Sequence, residues 1–199
     1  MLKFTFREKL EAATKETYTY GDYLLWPDEE RWELIDGVPY NMAPGPSRAH
    51  QGISMELARQ IANYLADKSC KVYAAPFDLR LPKGKEEDER IETVVQPDLV
   101  VVCDENKLDE RGCKGAPDLI IEILSPYTAG KDMKIKRNLY ERVGVKEYWL
   151  VDPGNKTAQI YKMGNDGKYG SPDVYLADEQ VKVGLFSDLT IDLAMVFGN

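Results

Sequence analysis

The stretch PDLVVV at Pro97–Val102 and the stretch PDLIIEILSP at Pro117–Pro126 decide how this chain is read. Each sets a proline and an acid before a run of aliphatic, largely β-branched residues, the composition of a buried strand. The second run is apolar on both faces, as a strand in the middle of a sheet would be. Within it stands Glu122, and a carboxylate among apolar neighbours is costly to bury unless it is paired or bound to a cation. Two explanations compete. The acids are polar ends where strands leave a sheet, or they are ligands. If the two strands are neighbours, Asp98 and Glu122 point into one cleft and suit a hard divalent cation, which prefers oxygen donors and keeps water and substrate phosphate in its shell.

Outward from these strands, RWELIDGVPYNM holds two extended runs around Asp36-Gly37, a favoured hairpin dipeptide. Thr19 fits the N-cap of a short helix before them. In SRAHQGISMELARQIANYLADK, Ile53, Leu57, Ile61 and Leu65 recur at four-residue spacing and predict an amphipathic helix. CKVYAAPFDLRL reads as one or two strands, KGKEEDERIE as a solvated loop, TVVQPDLVVVC as one strand and ENKLDERGCKGA as a connector. A helix in TAGKDMKIKRNLYERV stops at Gly144, KEYWLVDP is a further strand, and TAQIYKM, KYGSPDVYLAD and TIDLAMVF complete the sheet. The expected fold class is α/β, a mixed sheet flanked by helices in a single domain.

The 199 residues, 43% hydrophobic and 30% charged, describe a folded globular protein. No apolar run reaches the roughly 20 residues that cross a bilayer, and the charged N-terminus lacks a signal-peptide core, so the expected location is cytoplasmic. The three cysteines, Cys70, Cys103 and Cys113, lack metal-ligand spacing and are expected as reduced thiols. A formal net charge of -8 counts against nucleic-acid binding. An empty carboxylate site for metal is itself negative, however, so local pattern outweighs the total.

Several other residues have both a bland and a functional reading. Asp132 and Lys136 lie one helical turn apart in KDMKIKRNLY, which fits an ion pair on a solvated face; a functional lysine there would orient water or stabilise charge on a phosphate. Glu33, in the first strand of the hairpin, is either an exposed acid or an additional ligand in the same cleft. Gln96 either caps a strand or hydrogen-bonds substrate. His50, the only histidine, reads as a first-turn helix residue rather than a general base.

Taken together, RWELIDGVPY, AHQGIS, VVQPDLVVV, PDLIIEILSPYT and KDMKIKRNLYERVGVKEYWLVDP resemble the Uma2 family of restriction-endonuclease-like proteins, within the PD-(D/E)XK nuclease superfamily. The resemblance runs from about Tyr18 to the end of the chain. It implies a nuclease domain over 18–199 behind an N-terminal extension over 1–17. It also implies a restriction-endonuclease-like fold, a Mg²⁺ or Mn²⁺ cofactor, DNA as substrate and a homodimer. Asp98 matches the aspartate of the superfamily motif and Glu122 its second acid, both as metal ligands; Lys136 matches a lysine moved to the following helix, and Glu33 a further family acid. The usual lysine position, two residues after the acid, is Leu124 here. The expected activity is metal-dependent hydrolysis of DNA phosphodiester bonds, with Asp98 and Glu122 on the metal, Lys136 steering water, and Glu33 and Gln96 assisting. The alternatives are a catalytically quiet binding or regulatory protein on the same scaffold and a hydrolase of small phosphates.

Overall fold

The computed structural model describes residues 17–27, 30–42 and 45–198. Apart from Thr17, the expected extension over 1–17 lies outside them. In chain order the elements are α1 (Tyr20–Tyr23), β1 (Trp32–Ile35), β2 (Val38–Asn41), α2 (Arg48–Leu65), β3 (Lys71–Ala74), β4 (Leu79–Arg80), β5 (Val94–Val95), β6 (Leu99–Val102), β7 (Leu108–Asp109), β8 (Gly112–Lys114) and β9 (Leu119–Ile123). A π-helical turn (Lys131–Lys136) then runs into α3 (Arg137–Val143), followed by β10 (Glu147–Asp152), β11 (Thr157–Lys162), β12 (Asp173–Leu176), β13 (Gln180–Lys182), β14 (Thr190–Asp192) and α4 (Leu193–Phe197). This is the expected mixed α/β architecture. Among the described residues no helix is long and apolar enough to cross a membrane.

The chain falls into two compact units. The smaller comprises the described residues up to 42 and residues 80–95. Thr19 opens α1, donating its backbone N–H to Asp22 Oδ2 at 2.8 Å and its hydroxyl to the same oxygen at 3.0 Å. β1 and β2 form the predicted hairpin, with Leu34 opposite Pro39 and Ile35 opposite Val38. The turn needs two left-handed residues, supplied by Asp36 at φ 50° and Gly37 at φ 78°, the primed geometry that matches strand twist. Tyr20, Leu34, Ile91 and Val94 make the core of this unit. Within KGKEEDERIE, Asp88–Arg90 forms a 3₁₀ turn, and Asp88 pairs with the fully buried Arg80.

The larger unit comprises residues 45–79 and 96–198 of the described chain. Its six-stranded sheet runs β12-β11-β10-β9-β6-β3. β9 is central, as its two apolar faces require, and pairs antiparallel with β6 but parallel with β10. Parallel neighbours need a crossover, here the π-helical turn and α3, which stops at Gly144 in the left-handed conformation, φ 87°. α2 forms where periodicity predicts, capped by Ser47, whose hydroxyl accepts the His50 N–H at 3.2 Å; its four predicted residues are all buried. They pack with Leu99, Val101, Ile121, Trp149 and Val151 in the main core.

Two sequence expectations are corrected. TVVQPDLVVVC is not one strand but two, β5 and β6, because Pro97 has no N–H to give to a ladder and breaks the run. ENKLDERGCKGA is not a plain connector, since Leu108 and Cys113 face each other in the short hairpin of β7 and β8. The cysteines are also corrected. Cys70 and Cys103 form a disulfide, and Cys113 alone is free and buried. The cause is register: β3 and β6 pair with Lys71 opposite Val102, so the next facing pair outward is Cys70 and Cys103. Nothing in the spacing of the cysteines along the chain reveals that register.

Candidate active site

The antiparallel register of β6 and β9 sets Leu99 opposite Ile121, so the next facing pair of positions outward is Asp98 and Glu122. Asp98 sits where Pro97 ends the previous run. Its Oδ2 accepts the Ile123 N–H at 2.7 Å. Its side chain is 21% exposed, whereas that of Glu122 is 5% exposed. The second PD pair does the other, architectural job. Asp118 accepts the Cys103 N–H at 2.8 Å and the Lys146 ammonium at 2.7 Å, closing the strand ends.

Glu122 has the partners its burial demands. Lys136 Nζ donates to Glu122 Oε1 at 2.8 Å, and the Tyr140 hydroxyl donates to the same oxygen at 2.9 Å. Both come from the crossover that parallel pairing of β9 and β10 makes necessary. Lys136 thus reaches Glu122 from the following crossover. Leu124 at the usual lysine position is buried. Asp132 does not lie on a solvated face. It is 2% exposed, with Oδ1 3.7 Å from Lys136 Nζ. Burial, followed by the neighbouring charges of Glu122, Tyr140 and Asp132, pushes the Tyr148 phenol well above its usual range, so Tyr148 stays protonated and donates to the Asp132 carbonyl at 3.1 Å.

His50 is a contact that sequence alone missed. It lies in the first turn of α2, as read, but its Nε2 is 3.3 Å from Asp98 Oδ2. Burial opposes its charged form, and the hydrogen bond and charge of Asp98 outweigh that penalty and hold its pKa above the usual 6.5. Gln96 donates from Nε2 to Asp78 Oδ1 at 2.8 Å. Glu33 is fully buried in β1 of the smaller unit, not exposed.

Among the described residues no cluster of three His, Cys, Asp or Glu side chains forms a ready-made metal cage. The donors still fit an oxygen-loving divalent ion. Asp98 and Glu122 are carboxylates at opposite strand positions, Asp98 partly open to solvent, and such ions are commonly held by one or two carboxylates with water and phosphate completing the shell.

The fold matches a crystal structure from Anabaena variabilis described as "a putative nuclease belonging to DUF820", at a TM-score of 0.71 and 22% identity, over 90% of this chain and 97% of that one. An "Uncharacterized protein slr1290" from Synechocystis is 26% identical over 151 residues, 74% of this chain and 75% of its own length. The family model described as "Uma2: Putative restriction endonuclease" matches residues 20–194. The chain belongs to the Uma2 family.

Proposed function

We propose that this protein is a divalent-metal-dependent endonuclease that hydrolyses phosphodiester bonds in DNA. The observation that supports this reading is the buried Lys136–Glu122 contact, on a strand whose register sets Glu122 opposite Asp98. Asp98 and Glu122 would hold Mg²⁺ or Mn²⁺. Such a cation, when bound, makes hydroxide available near neutral pH and shields phosphate charge. Lys136 brings a compact ammonium to the same carboxylate, where it can orient water and offset negative charge building on the phosphate. Lys134 on the same turn is exposed and Lys131 half-exposed, so the element that carries Lys136 also presents basic groups, which lessens the objection raised by the acidic total. Glu33 and Gln96 are proposed to assist, Glu33 as the further family acid. A homodimer, implied by the resemblance, would supply one cleft for each strand of a duplex.

The test is supercoiled plasmid incubated with Mg²⁺ or Mn²⁺ and purified protein. Nicking or cutting is expected, abolished by chelator and reduced at least about hundredfold by Asp98→Ala or Lys136→Ala. Activity that survives in both variants overturns the assignment. A second reading, a catalytically quiet nuclease-like binding protein, is favoured by one observation: Lys136 already neutralises Glu122. Absence of cleavage with either metal, together with DNA retained in a mobility-shift assay, would support that reading instead.

A further inference from the structure

The π-helical turn before α3 is a separate clue. Arg137 donates its N–H to the Asp132 carbonyl five residues back, in place of the usual four, and Tyr148 holds the same carbonyl. Such turns are uncommon and concentrate at functional sites. Here the turn carries Asp132 and Lys136 together into the interior, at 2% and 3% exposure.

The ammonium of Lys136 thus has two carboxylates within reach, Glu122 in hydrogen-bond contact at 2.8 Å and Asp132 at 3.7 Å. A single buried Lys–Glu pair is neutral, and a second buried acid beside it adds a charge that burial penalises. A cation bound to Glu122 would repel the Lys136 ammonium, which stands 2.8 Å from Glu122 Oε1. Lys136 sits on a flexible four-carbon stem and can turn away from Glu122. Asp132 lies where that turn would bring it.

We propose that Asp132 is a positioning residue for Lys136, holding the ammonium when a divalent cation takes Glu122, so that Lys136 yields the carboxylate without leaving the site. This rests on the metal reading above. It makes Lys136 a built-in counter-ion of the metal-free protein and a displaced neighbour in the metal-bound one.

Mn²⁺ binding to the full chain, followed by electron paramagnetic resonance, tests this in wild type, Asp132→Asn, Lys136→Met and the double variant, each checked by thermal melting. Asp132→Asn should weaken Mn²⁺ binding about tenfold, because the ammonium then stays on Glu122, and Lys136→Met should bind at least as tightly as wild type. In the Lys136→Met background, adding Asp132→Asn should change binding by less than about threefold, because the effect acts through Lys136. Equal weakening in both backgrounds would show that Asp132 acts on the cation by charge alone, and no weakening in either would show a purely structural role; both overturn the proposal. Should Asp132→Asn fail to fold, wild type with lysine labelled at ¹³Cε is titrated with Mg²⁺. The Lys136 resonance, identified by its loss in Lys136→Met, should move saturably, and a stationary resonance overturns the proposal. Wild type that binds Mn²⁺ with the expected pattern but cuts no DNA defeats only the nuclease reading. Wild type that binds no Mn²⁺ defeats both.

Discussion

Lys136 Nζ and Glu122 Oε1 are 2.8 Å apart, both side chains almost fully buried, and they come from elements fourteen residues apart in sequence. A buried pair of this kind is weak evidence for stability by itself, but loss of one partner leaves the other charge stranded. Lys136→Ala should therefore lower unfolding free energy by about 3 kcal/mol. Glu122→Gln combined with Lys136→Met, which removes both charges at near-constant volume, should recover most of the loss. Urea melts of the two variants check this, and a double variant no more stable than Lys136→Ala would contradict it. The comparison also shows whether lost cleavage in Lys136→Ala reflects chemistry or folding.

Cys70 and Cys103 close a loop with a sequence separation of 33. On the chain-entropy view such a bridge stabilises by about 3–4 kcal/mol. Alkylation of unfolded, unreduced protein followed by mass spectrometry should label Cys113 alone. Cys103→Ser should then lower the melting temperature of oxidised protein and leave it near that of reduced wild type. Three labelled cysteines would contradict the pairing.

Glu147 is 2% exposed and accepts the Trp149 indole N–H at 2.7 Å. Burial raises its carboxyl pKa above 4.5, with hydrogen bonds from Trp149 and the charge of Lys162 opposing the rise only in part. A folded-state pKa that is raised means the native protein holds this proton more tightly than the unfolded chain does. The resulting stability is complete below pH 4.5 and is lost as pH rises through the folded-state value. Relative to Glu147→Gln, wild type should lose stability between about pH 4 and pH 7. Urea midpoints of both proteins at the two pH values read the difference, and a gap that stays constant or reverses sign would contradict the assignment.

Elements with a strong local signature were legible in the sequence. The Asp36-Gly37 hairpin, the α2 face of Ile53, Leu57, Ile61 and Leu65, the doubly buried β9 and the stop at Gly144 each depend on a few neighbouring residues. What sequence could not give was register and crossover geometry. The facing of Cys70 and Cys103 follows from how β3 meets β6, and the reach of His50 to Asp98 from where α2 starts relative to the sheet. Asp132 misled for the same reason, since four-residue spacing shows that it shares a face with Lys136 but not that this face is packed inward. Glu33 fits an exposed hairpin acid by composition, yet it is fully buried in β1.

The contact between His50 Nε2 and Asp98 Oδ2 at 3.3 Å makes His50 a neighbour of the proposed ligand. His50→Ala should leave the fold intact, because the four buried apolar residues of α2 carry its packing. Cleavage should fall about tenfold as Asp98 loses its orienting partner, whereas His50→Gln, which can still donate a hydrogen bond, should recover part of it. Plasmid-nicking rates of the two variants at saturating Mn²⁺ provide the check, and equal rates for wild type and His50→Ala would remove His50 from the site.

The most direct test is anomalous diffraction from crystals soaked in Mn²⁺. A peak within coordination distance of both the Asp98 and Glu122 carboxylates, absent in Asp98→Ala crystals, is the expected result. A Mn²⁺ peak elsewhere with none between these two residues, or Asp98 and Glu122 turned apart with Lys136 unmoved, would contradict the metal site on which the nuclease reading stands.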